Sequence, residues 1–201
     1  MSELWTFVQL GFRHIVDVEA ADHILFLVAL AAIYRLRDAR AALWVITGFT
    51  VGHSVTLGLA VTRVVALPSA LIEFLIPVTI VLTGVENIVV RDRERSWLRG
   101  GYRPILAGVF GLVHGAGFAN YLRDLFMDRV AVPLFGFNIG IELGQVVVLL
   151  AAALALALVD QLIARVRARD AAWSPLRLRT IAVSLLVVAV ASHWAVERRP
   201  W

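Results

Sequence analysis

Long apolar runs alternate with short charged connections along nearly the whole chain. Six stretches, approximately 20–36, 41–64, 70–91, 104–122, 132–160 and 177–196, are long and apolar enough to read as transmembrane helices. The criterion is physical: roughly 20 apolar residues rising about 1.5 Å each cross a hydrocarbon core about 30 Å thick. Residues 3–18 have a different pattern, with Leu4, Trp5, Phe7, Val8, Leu10 and Phe12 interleaved with Glu3, Arg13, His14 and Asp17. That stretch is too short and too polar to span, so a short amphipathic helix at the interface, or a re-entrant piece, is expected. The expected fold is an all-α polytopic membrane helix bundle. It is one domain over 1–201, with an interfacial segment at 1–19 and six transmembrane helices at 20–196.

Composition strengthens this reading, since 60% hydrophobic residues and a mean hydropathy of +0.82 exclude an ordinary soluble domain. The chain has no cysteine, which excludes a disulfide framework and a thiolate metal site, so any metal must be held by His, carboxylate, hydroxyl or amide groups. The N-terminus has no basic region ahead of an apolar core, so no cleavable signal peptide is expected.

The net charge of +4 comes from arginines concentrated in alternate connections. Arg35, Arg37 and Arg40 follow the first span; Arg91, Arg93, Arg95, Arg99 and Arg103 follow the third; Arg165, Arg167, Arg169, Arg177 and Arg179 follow the fifth. The other connections carry Arg63, and Arg123 and Arg129 offset by Asp124 and Asp128. The positive-inside rule then puts both termini outside, with Arg198 and Arg199 as an exception. No basic-aromatic platform is present, so a lipid bilayer and not a nucleic acid is the expected partner.

Intramembrane ionisable groups are costly and by default mark function. His53 and His114 lie midway along the second and fourth spans, Asp22 and His23 open the first near its outer end, and His193 ends the sixth. Thr79, Thr83 and Glu86 share a face of the third span, with Asn87 beside them toward the inner side. Asn138, Glu142 and Gln145 project together from the fifth. Gly136, Gly140 and Gly144 recur on the fifth span and Gly111 and Gly115 on the fourth, which allows close helix packing on one face and leaves Glu142 on another. The echo of Phe49-Thr50-x-x-His53-Ser54 in Phe110-Gly111-x-x-His114-Gly115 would bring the two histidines together at a bundle axis.

Histidines on three helices with Asp22 and Glu142 nearby in depth suit zinc, nickel, cobalt or copper. The competing reading is a set of buried polar residues satisfied by neighbouring carbonyls. Glu86 and Asn87 fit either an inner gate or an arginine pair; His193 either a ligand or an interfacial residue; His14 either an outer capture ligand or a solvated side chain. Ser54 and Thr56 are expected to satisfy backbone carbonyls.

The motifs Gly11-Phe12-Arg13-His14-Ile15, Asp22-His23-Ile24-Leu25-Phe26-Leu27, Phe49 to Leu57, Gly84-Val85-Glu86-Asn87, Phe110 to Ala119 and Phe137 to Gln145 occur in order, and together they resemble the HupE/UreJ family of hydrogenase and urease accessory membrane proteins. The resemblance implies a bacterial inner-membrane permease for nickel or cobalt that supplies metalloenzyme maturation. It implies His14, Asp22, His23, His53, His114 and Glu142 as candidate ligands, with Glu86, Asn87, Asn138 and His193 as secondary candidates. Copper or zinc is the alternative cargo, and homo-oligomerisation is left open. The rival function is an intramembrane zinc hydrolase of lipid or peptide amides and esters, with Asp22 or Glu142 as general base and Ser54 at the oxyanion.

Overall fold

The structure is a computed structural model. It describes residues 2–18, 21–65, 68–90, 101–126, 130–166 and 173–201, with side chains for all of these except 119–126 and 166. The arginine-bearing stretches 91–100 and 167–172, and residues 127–129, lie outside the described residues.

Seven α-helices make up the described chain: α1 (Glu3–Val16), α2 (Ala21–Ala31), α3 (Ala39–Val61), α4 (Ser69–Val89), α5 (Arg103–Phe126), α6 (Ala131–Val166) and α7 (Pro175–Glu197). Among the described residues, four helices are long and apolar enough to cross a membrane: Leu36–Val61, Ser69–Val89, Ala131–Arg165 and Pro175–Glu197. The apolar side chains they leave exposed, among them Trp44, Val51, Leu82, Leu150, Leu158 and Leu186, suit hydrocarbon as solvent.

Local chemistry accounts for several helix ends. Ser174 Oγ accepts from the Arg177 backbone N–H at 3.2 Å and Pro175 opens α7, the favoured residue types at those positions. At the end of α3 the Val64 N–H reaches Leu59 O and the Arg63 N–H reaches Ala60 O, which is a Schellman closure. Its left-handed position is taken by Arg63, at φ 61°, where glycine is usual.

Two glycine seams set the packing. α3 and α5 run parallel: a Cβ on Gly52 would overlap the Gly108 carbonyl, and Cβ atoms on Gly111 and Gly115 would overlap the carbonyls of Phe49 and His53. α1 runs parallel to α6 in the same manner, with Gly136 against Leu4, Gly140 against Val8, and Gly144 against Phe12 and Ile15. Small residues permit this approach, and dispersion between the backbones rewards it. The parallel α3–α5 pair places the two echoing histidine motifs side by side.

The first membrane-crossing element differs from the expected 20–36 span. α2 has 11 residues, about 16 Å, and cannot cross alone. α1, at 14 residues or about 21 Å, is amphipathic as expected: it buries one face, Phe7, Val8, Gly11 and Ile15, and leaves Glu3, Leu4 and Trp5 exposed. α1 follows α6 past Gly144, and the end of α2 borders Val146, Leu149 and Ala153 further along the same helix. Two half-length helices therefore take successive lengths of α6, with a break between them. The physical reason is the groove of Gly136, Gly140 and Gly144, which accepts α1 despite its polar residues.

The far end of α2 is tied down. Asn87 Nδ2 donates to Ala29 O at 2.8 Å, Thr180 Oγ1 to Ala32 O at 2.9 Å, and Arg179 to Tyr34 O at 2.9 Å while holding Asp160 at 2.6 Å. These bonds cap carbonyls that the helix end leaves open.

Candidate metal centre

The break between α1 and α2 places a histidine on each side of it. His14, from the last turn of α1, and His23, from the first turn of α2, have ring centroids 4.7 Å apart. His53 of α3 lies 6.1 Å from His14 and 6.3 Å from His23, and His114 of α5 lies 5.2 Å from His23. His14, His23 and His53 each offer a ligand atom within 4.8 Å of the others. His53 and His114 are buried, and His23 nearly so.

Most of these ring nitrogens carry no hydrogen bond among the described residues: His14 Nε2, both nitrogens of His23, both nitrogens of His53, and His114 Nδ1. Buried polar atoms are rarely left so, because an unpaired one costs about 1–3 kcal/mol. A cluster of them aimed at one another fits an arrangement built for a shared cation.

The surroundings set which nitrogens are free. Thr79 Oγ1 donates to Ile76 O at 2.7 Å, so it accepts from His114 Nε2 at 3.0 Å. The proton is thereby assigned to Nε2, and the Nδ1 lone pair is available. Asp22 Oδ1 accepts the His23 backbone N–H at 3.0 Å and lies 3.2 Å from His23 Nδ1, which favours a proton there and leaves Nε2 as donor to a cation. Asp22 Oδ2 lies 3.7 Å from Arg198.

Aromatic rings wall the cluster. Phe118 lies 3.9 Å from the His14 ring and stacks on Phe137 at 5.5 Å; on another side Phe26 stacks on Phe49 at 5.0 Å, with Phe49 5.1 Å from His114. A cavity of about 600 Å³ leads to His14, His23 and His114 between Arg13, Asp17, Glu73 and Arg198, at the end where α4 begins and α7 finishes. Toward the other end Phe26, Leu30, Phe110, Glu86 and Arg103 line a pocket of about 20 Å³.

The remaining candidates fall elsewhere. Glu142 does not join the histidines: it accepts from Thr47 Oγ1 at 2.6 Å on α3, one turn from the Thr50–Gln145 bond of 2.9 Å. Asn138 Oδ1 is buried on the same helix without a partner among the described residues. Glu86 takes bonds from Tyr102 and Arg103, and Asn87 caps Ala29 and meets Arg103 at 3.4 Å, a lock rather than a set of ligands. Burial, and then the bond to Glu86, raise the Tyr102 phenol above its ordinary value. His193 is exposed and pairs with Glu197 at 3.3 Å. Ser54 Oγ donates to Thr50 O at 2.6 Å, as expected.

Arg13, Asp17, Glu73 and Arg198 were not among the sequence candidates. Arg198 carried one signal, as an arginine on the side of the chain where the charge rule expects few. Glu73 carried another, as a carboxylate one turn ahead of Pro77 in an apolar helix.

Fold and site together define a helical membrane protein with a buried histidine cluster beside a cavity. The family model for HupE/UreJ proteins matches residues 1–198. The chain belongs to that family, which is linked to nickel and cobalt handling for hydrogenase and urease. No curated protein and no solved structure matches the chain.

Proposed function

We propose that this protein moves a divalent transition-metal cation across the bacterial inner membrane, with nickel or cobalt as the first choice of cargo and zinc or copper after them. The observation that carries the reading is the convergence of His14, His23 and His53 within 4.8 Å, with unpaired nitrogens, below an open cavity. Neutral imidazole prefers borderline divalent ions over magnesium or calcium. In this reading both termini face the periplasm, the α1–α2 pair and the five helices α3 to α7 make six crossings, and the cavity is the outer vestibule. Inward movement gains about 2.3 kcal/mol per charge per 100 mV from the membrane potential. Phe26, Phe49 and the Glu86–Arg103 pair close the inner side, and cytoplasmic maturation proteins for nickel enzymes receive the ion.

Uptake of nickel or cobalt into proteoliposomes tests this. Wild-type vesicles should accumulate the ion under an inside-negative potential, and His53→Ala and His114→Ala vesicles should not, although both proteins insert. Equal uptake by these variants and wild type would defeat the reading.

A zinc hydrolase on the same histidines is the second reading. The observation favouring it is that Asp22, the candidate general base, lines the same cavity as His14, His23 and His114, where a substrate could reach all of them. Mass spectrometry of the purified protein before and after mild chelation separates the two. One zinc retained per chain supports the hydrolase, and an ion that washes out and is replaced by nickel supports transport.

A further inference from the structure

The cavity contains a cation of its own. Arg198 follows the last turn of α7, its backbone N–H bonded to Trp194 O at 2.9 Å and its guanidinium 5.6 Å from the Trp194 ring centroid. From there it reaches Asp22 Oδ2 at 3.7 Å, while Oδ1 of the same carboxylate is turned to His23. Asp22 is the carboxylate beside the histidine cluster, so its single negative charge serves either the guanidinium or an incoming ion. Imidazoles must be neutral to ligate and contribute no compensating charge. A divalent ion bound at the histidines with Arg198 in place would set two cations on Asp22, and their like charges repel.

We propose that Arg198 is a tethered counter-cation that occupies Asp22 in the empty site and is displaced by the cargo, which makes it a specificity-determining residue for the ion. The guanidinium already lies 5.6 Å from the Trp194 ring centroid, so that contact can hold it when the carboxylate is taken by the ion. The device sets a threshold. An ion that draws its affinity from the imidazoles displaces Arg198, whereas one that relies on the carboxylate, as magnesium does, competes with a guanidinium already there. The inference rests on the cation-site reading above.

The test is calorimetric titration of nickel chloride into the full chain in lipid nanodiscs. Arg198→Gln should bind nickel about three- to tenfold more tightly than wild type, as expected when a partly exposed ion pair is no longer broken on binding. Arg198→Lys, still cationic, should remain near wild type. In an Asp22→Asn background the Arg198→Gln change should have no further effect. Magnesium chloride should compete with nickel more effectively in Arg198→Gln than in wild type. Unchanged or weaker nickel binding in Arg198→Gln, with wild type binding normally, would overturn the proposal and leave the cation site standing; in the weaker case Arg198 positions Asp22 instead of competing for it. Nickel bound by neither protein would overturn both.

Discussion

His14 and His23 face each other across the break between α1 and α2, ring centroids 4.7 Å apart, so one pair of candidate ligands straddles two separate helices. Removing either should cost metal affinity without unfolding the bundle. His14→Ala and His23→Ala are each expected to weaken nickel binding by about 10–100-fold, the range seen even for groups that only support ligands. Titration of the purified variants checks this, with circular dichroism as the folding control.

Thr79 acts one step behind the ligands. Thr79→Val keeps the shape but removes the acceptor that holds the His114 Nε2 proton. The ring can then adopt the other tautomer or turn. A loss of about tenfold in nickel affinity is expected, with a fall in melting temperature equivalent to about 1–3 kcal/mol for the buried nitrogen left unpaired. Equal affinity in the variant would show that the tautomer is fixed by something else.

Arg63 offers a stabilising change. It occupies a left-handed position at φ 61° that costs an L side chain about 1–2 kcal/mol, and glycine takes it freely. Part of that gain is lost to the greater freedom of glycine in the unfolded chain. Arg63→Gly should therefore raise the thermal midpoint by an amount equivalent to about 0.5–1 kcal/mol, read by a detergent-compatible melting assay, with metal binding unaltered.

The α3–α5 seam should be intolerant of added volume. Gly52→Ala places a methyl against the Gly108 carbonyl, and the two backbones must separate. Overpacking of this kind costs about 1–3 kcal/mol. Because Gly111 and Gly115 in the same seam touch Phe49 and the His53 backbone, the variant should also weaken nickel binding. Gly58→Ala, where the nearest atom is a flexible leucine methyl at 3.3 Å, should be nearly silent and serves as the control.

Glu86 and Arg103 form a buried pair, with Tyr102 as a further donor to the carboxylate. Glu86→Gln leaves the guanidinium without its counter-charge and should destabilise by about 3 kcal/mol. Glu86→Gln combined with Arg103→Gln should recover much of the loss, which a double-mutant cycle of melting temperatures would show. The single variant consequently confounds folding with conduction. The double variant is the cleaner probe of a closed inner side.

Hydropathy located α3, α4 and α7 to within about three residues and α6 to within six, because each is a long apolar run and a membrane leaves a helix as the only way to satisfy its backbone. α5 is a helix where the 104–122 span is expected, but among the described residues it is not one of the four long and apolar enough to cross. His23, His53 and His114 stood out for the related reason that a lone ionisable group in such a run is rare. The depth of His14 was not legible. It depends on whether an amphipathic segment lies on the bundle or inside it, and that is decided by glycines more than a hundred positions away in α6. The alignment of Asn138, Glu142 and Gln145 on one face was readable from helical spacing, but that this face meets Thr47 and Thr50 instead of the histidines depends on how α6 is rotated against α3. The arginines divide in the same way. Arg179, counted among the loop charges by pattern, is buried against Asp160 and the carbonyls past the end of α2.

The broken first element also bears on how the protein is made. Neither α1 nor α2 is long enough to be recognised as a span when it leaves the ribosome, and the groove that receives α1 is encoded at Gly136 to Gly144. His14 can reach His23 only after α6 has been synthesised and delivered to the bilayer. Chains interrupted just before that point would carry all four clustered histidines but no α6 for α1 to dock on, so the site comes into being as one of the last events of biogenesis.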